Sequence, residues 1–184
     1  MRAVESPDRY RGVPVNTVTR DERTIADQIH TALHLQKLCG QSLMQDREVY
    51  ALLGELDLHI EATQRAMARA GIVKECADCA VNGEGTCCGV RTAYKYGSVL
   101  LLINLLMGRI LPSAPADAHL CHFLTKQGCA LRARHVICVD FTCQRLRDAL
   151  PHSSLCNVQD IAGGEIDTLF VLEERIKKEI GSPR

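Results

Sequence analysis

Apolar residues recur at helical spacing in several stretches of this 184-residue chain. The longest is 46–70, where Val49, Leu52, Leu53, Leu56, Ile60 and Met67 repeat mostly every three or four residues. That spacing puts them on one face of a helix. Gly71 can take the left-handed conformation that ends helices, so the helix should stop there. Upstream, Ile25, Ile29, Leu33 and Leu38 predict a helix that begins at the capping-box pattern Thr19-Arg20-Asp21-Glu22 and ends at Cys39-Gly40. Downstream, Ile166, Leu169, Leu172 and Ile176 predict a last helix over about 165–180, closed by Gly181 and Pro183. The run "SVLLLINLLMGRIL", Ser98 to Leu111, is apolar almost throughout. It falls short of the roughly 20 residues a bilayer requires and contains Asn104, Gly108 and Arg109. It predicts a buried helix over 99–110, capped by Ser98 and stopped by Pro112.

The segments between these patterns read differently. Residues 1–18 carry two prolines and no period, which predicts a mobile arm. "LPSAPADAH" is a turn-rich linker, and "FTCQRLRDAL" predicts a short helix before Pro151. The expectation is a mainly α fold, a small helical domain with a loop-built cysteine cluster between helices. It would comprise the arm 1–18, an N-terminal helical pair 19–73, a cysteine-cluster region 74–156, and a C-terminal helix 157–184 packed on the same domain.

Composition sharpens this. Tryptophan is absent and aromatic residues are 4% of the chain, so the core must be aliphatic. The 22 basic and 22 acidic residues cancel, which argues against a nucleic-acid binder. The N-terminus has no apolar run and no small-residue cleavage site, so a cytoplasmic protein without membrane attachment is expected. In that compartment thiols stay reduced. Ten cysteines there favour metal binding over disulfides.

Eight of the ten are clustered. Their order is Cys76-x2-Cys79-x7-Cys87-Cys88, then thirty-two residues, then Cys121-x7-Cys129-x8-Cys138-x4-Cys143. Two thiolates at Cys-x2-Cys spacing can bind one ion from a single turn. Gly83, Gly85 and Gly89 permit tight backbone around them. Cys87 and Cys88 either share a special turn at one ion or divide between two centres. Cys39 and Cys156 lack partners at ligand spacing and read as small buried hydrophobes.

The Cys-x2-Cys pair, the adjacent Cys-Cys, and "CHFLTKQGCALRARHVICVDFTC" together resemble the YkgJ-type cysteine-cluster family, described as a zinc- or iron-chelating domain. The resemblance covers 76–143 and rests on Cys121, Phe123-Leu124, Gly128-Cys129, Arg134 and Cys138-x4-Cys143, with Phe141 inside the last spacing. The family usually has Pro where this chain has His135, and Arg where it has Val139. The resemblance implies a metal centre held by Cys76, Cys79, Cys87, Cys88, Cys121, Cys129, Cys138 and Cys143. A related domain occurs in flagellin lysine methylases, where an iron–sulfur cluster is implied, and this favours a [4Fe–4S] cluster slightly over zinc.

Eight thiolates suffice for two closed zinc sites, or for one [4Fe–4S] cluster with additional structural cysteines. Either centre is anionic, and Lys74, Arg91, Arg132, Arg134 and Arg145 lie nearby in sequence to balance it. Weaker ligand candidates are the His30/His34 pair, His122 beside Cys121, His119 and His135. Asp78 and Asp140 read as turn residues. No phosphate loop, nucleophile elbow or zinc-protease motif is present, and no catalytic residue stands out. The expected function is metal binding, through an iron–sulfur cluster or zinc, in metal handling, assembly or docking to a protein partner. The alternatives are an iron–sulfur enzyme of redox or methyl-transfer type, and a thiol redox sensor.

Overall fold

The computed structural model describes residues 24–82 and 86–181. The fold is mainly α, with one two-stranded hairpin. Helix α1 spans Ile25–Gln45, α2 Arg47–Ala70, α3 Ile72–Asn82, α4 Val90–Ala93 and α5 Ser98–Leu106. The strands β1, Leu124–Thr125, and β2, Gly128–Cys129, follow, and then α6 Val136–Val139, α7 Gln144–Ala149 and α8 His152–Glu179.

Helix α2 forms as its periodicity predicts. Asp46 caps it by accepting from the amides of Glu48 and Val49, and Gly71 ends it at φ 87°. Val49, Leu53, Leu56, Ile60 and Met67 are buried, and Leu52 is partly so. Its long partner is α8, which packs along it in the most extensive helix pair of the molecule. At one end, Arg175 of α8 reaches both Asp46 (2.8 Å) and Glu48 (2.6 Å). Each fully buried Leu or Ile in this seam contributes about 1.5–3 kcal/mol.

Several boundaries differ from the sequence expectation. The mobile arm and the capping box at Thr19 lie outside the described residues. Instead α1 opens with a capping box between Thr24 and Asp27. It also runs through Cys39-Gly40 to Gln45, because that site is packed rather than free. Cys39 donates its thiol hydrogen to the Leu35 carbonyl (3.0 Å). A side chain at Gly40 would meet Leu106 of α5 at 3.8 Å. Consequently the buried face is Ile29, Ala32, Leu35, Cys39 and Leu43, while Leu33 and Leu38 are exposed.

The stretch expected to be a loop from residue 74 begins as helix α3, immediately after Gly71. Helix α5 begins one residue earlier than expected and ends four residues sooner. Ser98 is its first residue, not its cap, and its amide donates to Gln28 of α1 (2.9 Å). Gly108, at φ 75°, turns the chain before Pro112 is reached. Finally, α8 starts at His152, thirteen residues before the expected 165, so a division at 156/157 falls inside a helix. Gly163 and Gly164 do not interrupt it. Gly164 is where α8 approaches α2, since a Cβ there would lie 2.6 Å from the His59 ring.

The buried residues form two clusters. The first joins α1, α2, α5 and the C-terminal half of α8 with Tyr96, Phe123, Leu131 and Ala133. The second joins the end of α2, Ile72, Val139, Leu146 and the N-terminal half of α8. Among the described residues, no helix is long and apolar enough to cross a membrane.

Candidate metal centre

The eight clustered cysteines come from six pieces of chain. Cys76 and Cys79 lie three apart on α3, which places them on one side of the helix. Cys143 is the N-terminal flanking residue of α7. Helices α3 and α7 pack together, held by Arg145 of α7, which donates to Glu75 (3.2 Å) and to Asp78 of α3. Asp78 is thus an ion-pair partner rather than a ligand. This clamp brings Cys143 to the Cys76/Cys79 side, and Cys143 packs against the second core cluster.

The other cysteines gather on the first core cluster. Cys121 is buried in it, and Cys88 and Cys138 pack against it. Backbone bonds fix their spacing. The Cys121 amide donates to the Cys88 carbonyl (2.7 Å), beside a bridge between Gly89 and Leu120. In the hairpin Cys129 is paired with Leu124. Cys138 sits in α6, where its sulfur accepts from the buried Tyr96 hydroxyl (3.4 Å). Tyr96 in turn stacks edge-on against Phe123 with ring centroids 5.1 Å apart.

Electrostatics follow the same geography. Burial pushes the Cys76 thiol up to about 11, and Cys87, Cys143 and Cys79 add to the rise. Cys121, Cys129 and Cys138 are likewise raised, first by burial; Cys129 adds to the rise at Cys121, and Cys129 and Cys121 add to it at Cys138. Cys76 and Cys129 leave much of their residue surface in water. Their sulfurs are nonetheless crowded enough by protein atoms for desolvation to lead. The groups meet at Cys87 and Cys88. The Cys88 thiol donates to the Cys87 sulfur, which lowers the Cys87 pKa and raises that of Cys88. Cys88 is raised further by burial, by Cys87, and then by Cys138 and Cys121.

Of the five cations singled out in the sequence, Arg134 faces the thiols most broadly, and its charge favours the thiolates of Cys76, Cys129 and Cys138. Arg132 turns away, to Asp57 of α2 (2.7 Å). Sequence reasoning missed Arg109, whose charge favours the Cys129 thiolate. It also missed Tyr96. A lone tyrosine forty-two residues from Cys138 carries no spacing signal.

The remaining candidates have other employment. His122 bonds the Pro112 carbonyl (2.9 Å). His135 flanks α6 and accepts from the Ile137 amide through Nδ1 (3.2 Å). Asp140 accepts from Gln159 (3.2 Å). Cys39 is buried, as expected, whereas Cys156 is only partly so and lies 3.5 Å from Nδ1 of His152. His30 and His34 lie exposed on α1, and His119 is exposed with its amide on Asp117 (2.7 Å). A shallow hollow of about 560 Å³ opens beside α6, lined by Tyr94, Lys95, His135, Ile137, Asp140 and Phe141 among others.

Among the described residues, no three His, Cys, Asp or Glu side chains stand at a spacing that would already hold an ion. The donor chemistry nevertheless suits a thiophilic metal. Thiols crowded together resist ionising because each thiolate repels the next, and a bound cation reverses that balance. Comparison with protein-family models, with curated proteins and with solved structures gives no match.

Proposed function

We propose that this chain is a metal-binding protein whose Cys76, Cys79, Cys87, Cys88, Cys121, Cys129, Cys138 and Cys143 hold zinc or an iron–sulfur cluster as thiolates, with a role in metal handling, assembly or docking to a protein partner. The supporting observation is convergence. Cys76 on α3 and Cys143 at the start of α7 stand within electrostatic reach of each other, as do Cys88, Cys121 and Cys138. Chance burial of eight unrelated thiols does not produce two such gatherings with an arginine facing both. The resemblance to the YkgJ-type pattern adds weight. The test is elemental analysis with a UV-visible spectrum on anaerobically purified protein. Stoichiometric iron with broad absorbance near ~400 nm identifies a cluster. Colourless protein carrying about two zinc ions identifies closed thiolate sites. Protein that stays metal-free under reducing conditions, with or without added zinc or iron, overturns the proposal.

A second reading, a thiol redox sensor, is favoured by one feature. The exposed Cys87 is held toward its thiolate by the hydrogen bond from Cys88, and exposed thiolates are the ones that oxidise. It requires metal-free protein in which Cys87 is alkylated first, so the same preparation separates the two.

A further inference from the structure

Resting on the metal-binding reading, we infer that the eight thiols form two separate four-cysteine centres, Cys76/Cys79/Cys87/Cys143 and Cys88/Cys121/Cys129/Cys138, with the adjacent Cys87 and Cys88 serving different metals.

The geometry carries the division. The first set is assembled by the α3–α7 contact. Cys76 and Cys79 share a side of α3, Cys143 opens α7, and Arg145 pins α7 to Glu75 and Asp78 on α3. That pairing sits on the second core cluster. The second set is assembled on the first core cluster by different devices. These are the Cys121–Cys88 backbone bond, the hairpin that carries Cys129, and the Tyr96 hydroxyl that holds Cys138. No single piece of secondary structure contributes to both sets except the short segment bearing Cys87 and Cys88.

Those two residues therefore decide the arrangement. Their sulfurs are hydrogen-bonded to each other, so they stand at the boundary between the two sets. The Cys88 carbonyl is tied to Cys121, so residue 88 belongs to the hairpin side. With Cys88 on that side, a four-coordinate centre at α3 and α7 has three thiolates, Cys76, Cys79 and Cys143, and Cys87 is the one left to complete it. Four thiolates around a divalent ion leave a net charge of about −2 at each site. Arg134, whose buried Nε has no hydrogen-bond partner, is a cation available to offset that charge.

The partition is tested on the full chain, reduced and anaerobic, with cobalt(II) as the probe. Uptake is counted by native mass spectrometry, and coordination is read from the thiolate-to-cobalt charge-transfer bands. The wild type should take up about two equivalents with tetrahedral thiolate spectra. Cys76→Ser and Cys87→Ser should each retain about one, and so should the double variant Cys76→Ser/Cys87→Ser, because both belong to one centre. The pair Cys76→Ser/Cys88→Ser should lose both. The exposed Cys129 gives a second check that does not disturb the core: Cys87→Ser/Cys129→Ser should lose both, and Cys88→Ser/Cys129→Ser should retain about one. A retained centre also reports that the variant has folded. Reversal of these pairings, or a single four-thiolate equivalent in the wild type, overturns the partition and leaves the metal-binding reading standing. Protein that binds neither cobalt nor iron nor zinc sinks both.

Discussion

The Tyr96 hydroxyl donates to the Cys138 sulfur at 3.4 Å while accepting from the His135 amide at 3.2 Å. One buried phenol thus orients a candidate ligand and satisfies the backbone that enters α6. The tyrosine is only 2% exposed and its own ionisation is strongly suppressed by burial, so it acts as a neutral donor at any ordinary pH. Such outer partners fix the direction of a metal ligand and tune its basicity.

Replacing Tyr96 by Phe keeps the ring and its packing on Phe123 but strands the His135 amide. Unfolding in denaturant should show a loss of about 1–3 kcal/mol for the metal-free protein. If Cys138 ligates a metal, affinity at that centre should fall by about 10–100-fold while a centre at Cys76 is untouched. Equal loss at both centres, or no loss of stability, would show that the phenol does neither.

Asn104 is the second polar group built into the core, and it governs the approach of the second cysteine segment. It sits fully buried in the most apolar helix, where its amide nitrogen donates to the carbonyls of Leu100 and Ala133, both at 2.9 Å. Its oxygen accepts from the amides of Arg132 (2.7 Å) and Ala133 (3.1 Å). The residue therefore fastens 132–133, midway between Cys129 and Cys138, to α5. Asn104→Leu, nearly isosteric, leaves two amides and a carbonyl without partners. The expected cost is about 3 kcal/mol or more, read as a lowered denaturant midpoint. Hydrogen exchange at Arg132 and Ala133 should accelerate before global unfolding. A variant as stable as the wild type would mean that water replaces all of these bonds.

Asn104 also illustrates what could be read in advance. The apolar run around it predicts a buried helix, and that helix exists. Its polar member shows in the sequence only as an exception, because its partners lie about thirty residues away. Helix α2 was fully readable, since its apolar period, Asp46 and Gly71 all point the same way. The start of α8 was not, because Gly163-Gly164 argues locally against a helix that the contact with α2 nevertheless sustains. Helix α3 was hidden for another reason. Cysteines and glycines read as loop chemistry, yet Ile72–Asn82 continues directly from the Gly71 turn. The clustering of cysteines and their resemblance to the YkgJ-type pattern named the eight candidate ligands. Their grouping depends on Arg145 meeting Glu75 and Asp78 across seventy residues, which no local pattern encodes.

Glu165 of α8 is 1% exposed, and neither carboxylate oxygen has a hydrogen-bond partner. The nearby Thr63 gives its hydroxyl to the His59 carbonyl instead (3.1 Å). Burial lifts the Glu165 pKa above the ordinary 4.5, although Thr63 and the charges of Arg134, Arg132 and His59 pull it down. The sign follows from linkage. Below the unfolded pKa both states are protonated and the group costs nothing. As pH rises through the raised folded pKa, the unfolded chain ionises first and stability falls. Glu165→Gln, which mimics the neutral acid, should remove this loss. Its stability advantage should grow from pH 4.5 upward, at no more than about 1.4 kcal/mol per pH unit, and then level off. An advantage that shrinks with rising pH would show that Arg134 outweighs desolvation.

The glycine pair of α8 gives two neighbouring positions with different expected outcomes. Neither has a left-handed backbone, so alanine is conformationally acceptable at both. At Gly163 an added Cβ meets nothing within 4 Å, and Gly163→Ala should stabilise the helix by about 0.5–1 kcal/mol through propensity alone. At Gly164 the new Cβ would lie 2.6 Å from His59 Nδ1 and 2.8 Å from its Cε1. The imidazole must swing away, and it would abandon its 3.7 Å approach to Glu55. Gly164→Ala should therefore gain less than Gly163→Ala, or lose stability, by thermal melting of the two variants side by side. With His59 replaced by Ala, Gly164→Ala should recover the gain seen at Gly163, because the obstructing ring is gone. If the two glycine variants melt together, α2 and α8 do not approach each other at Gly164 as closely as the structure requires.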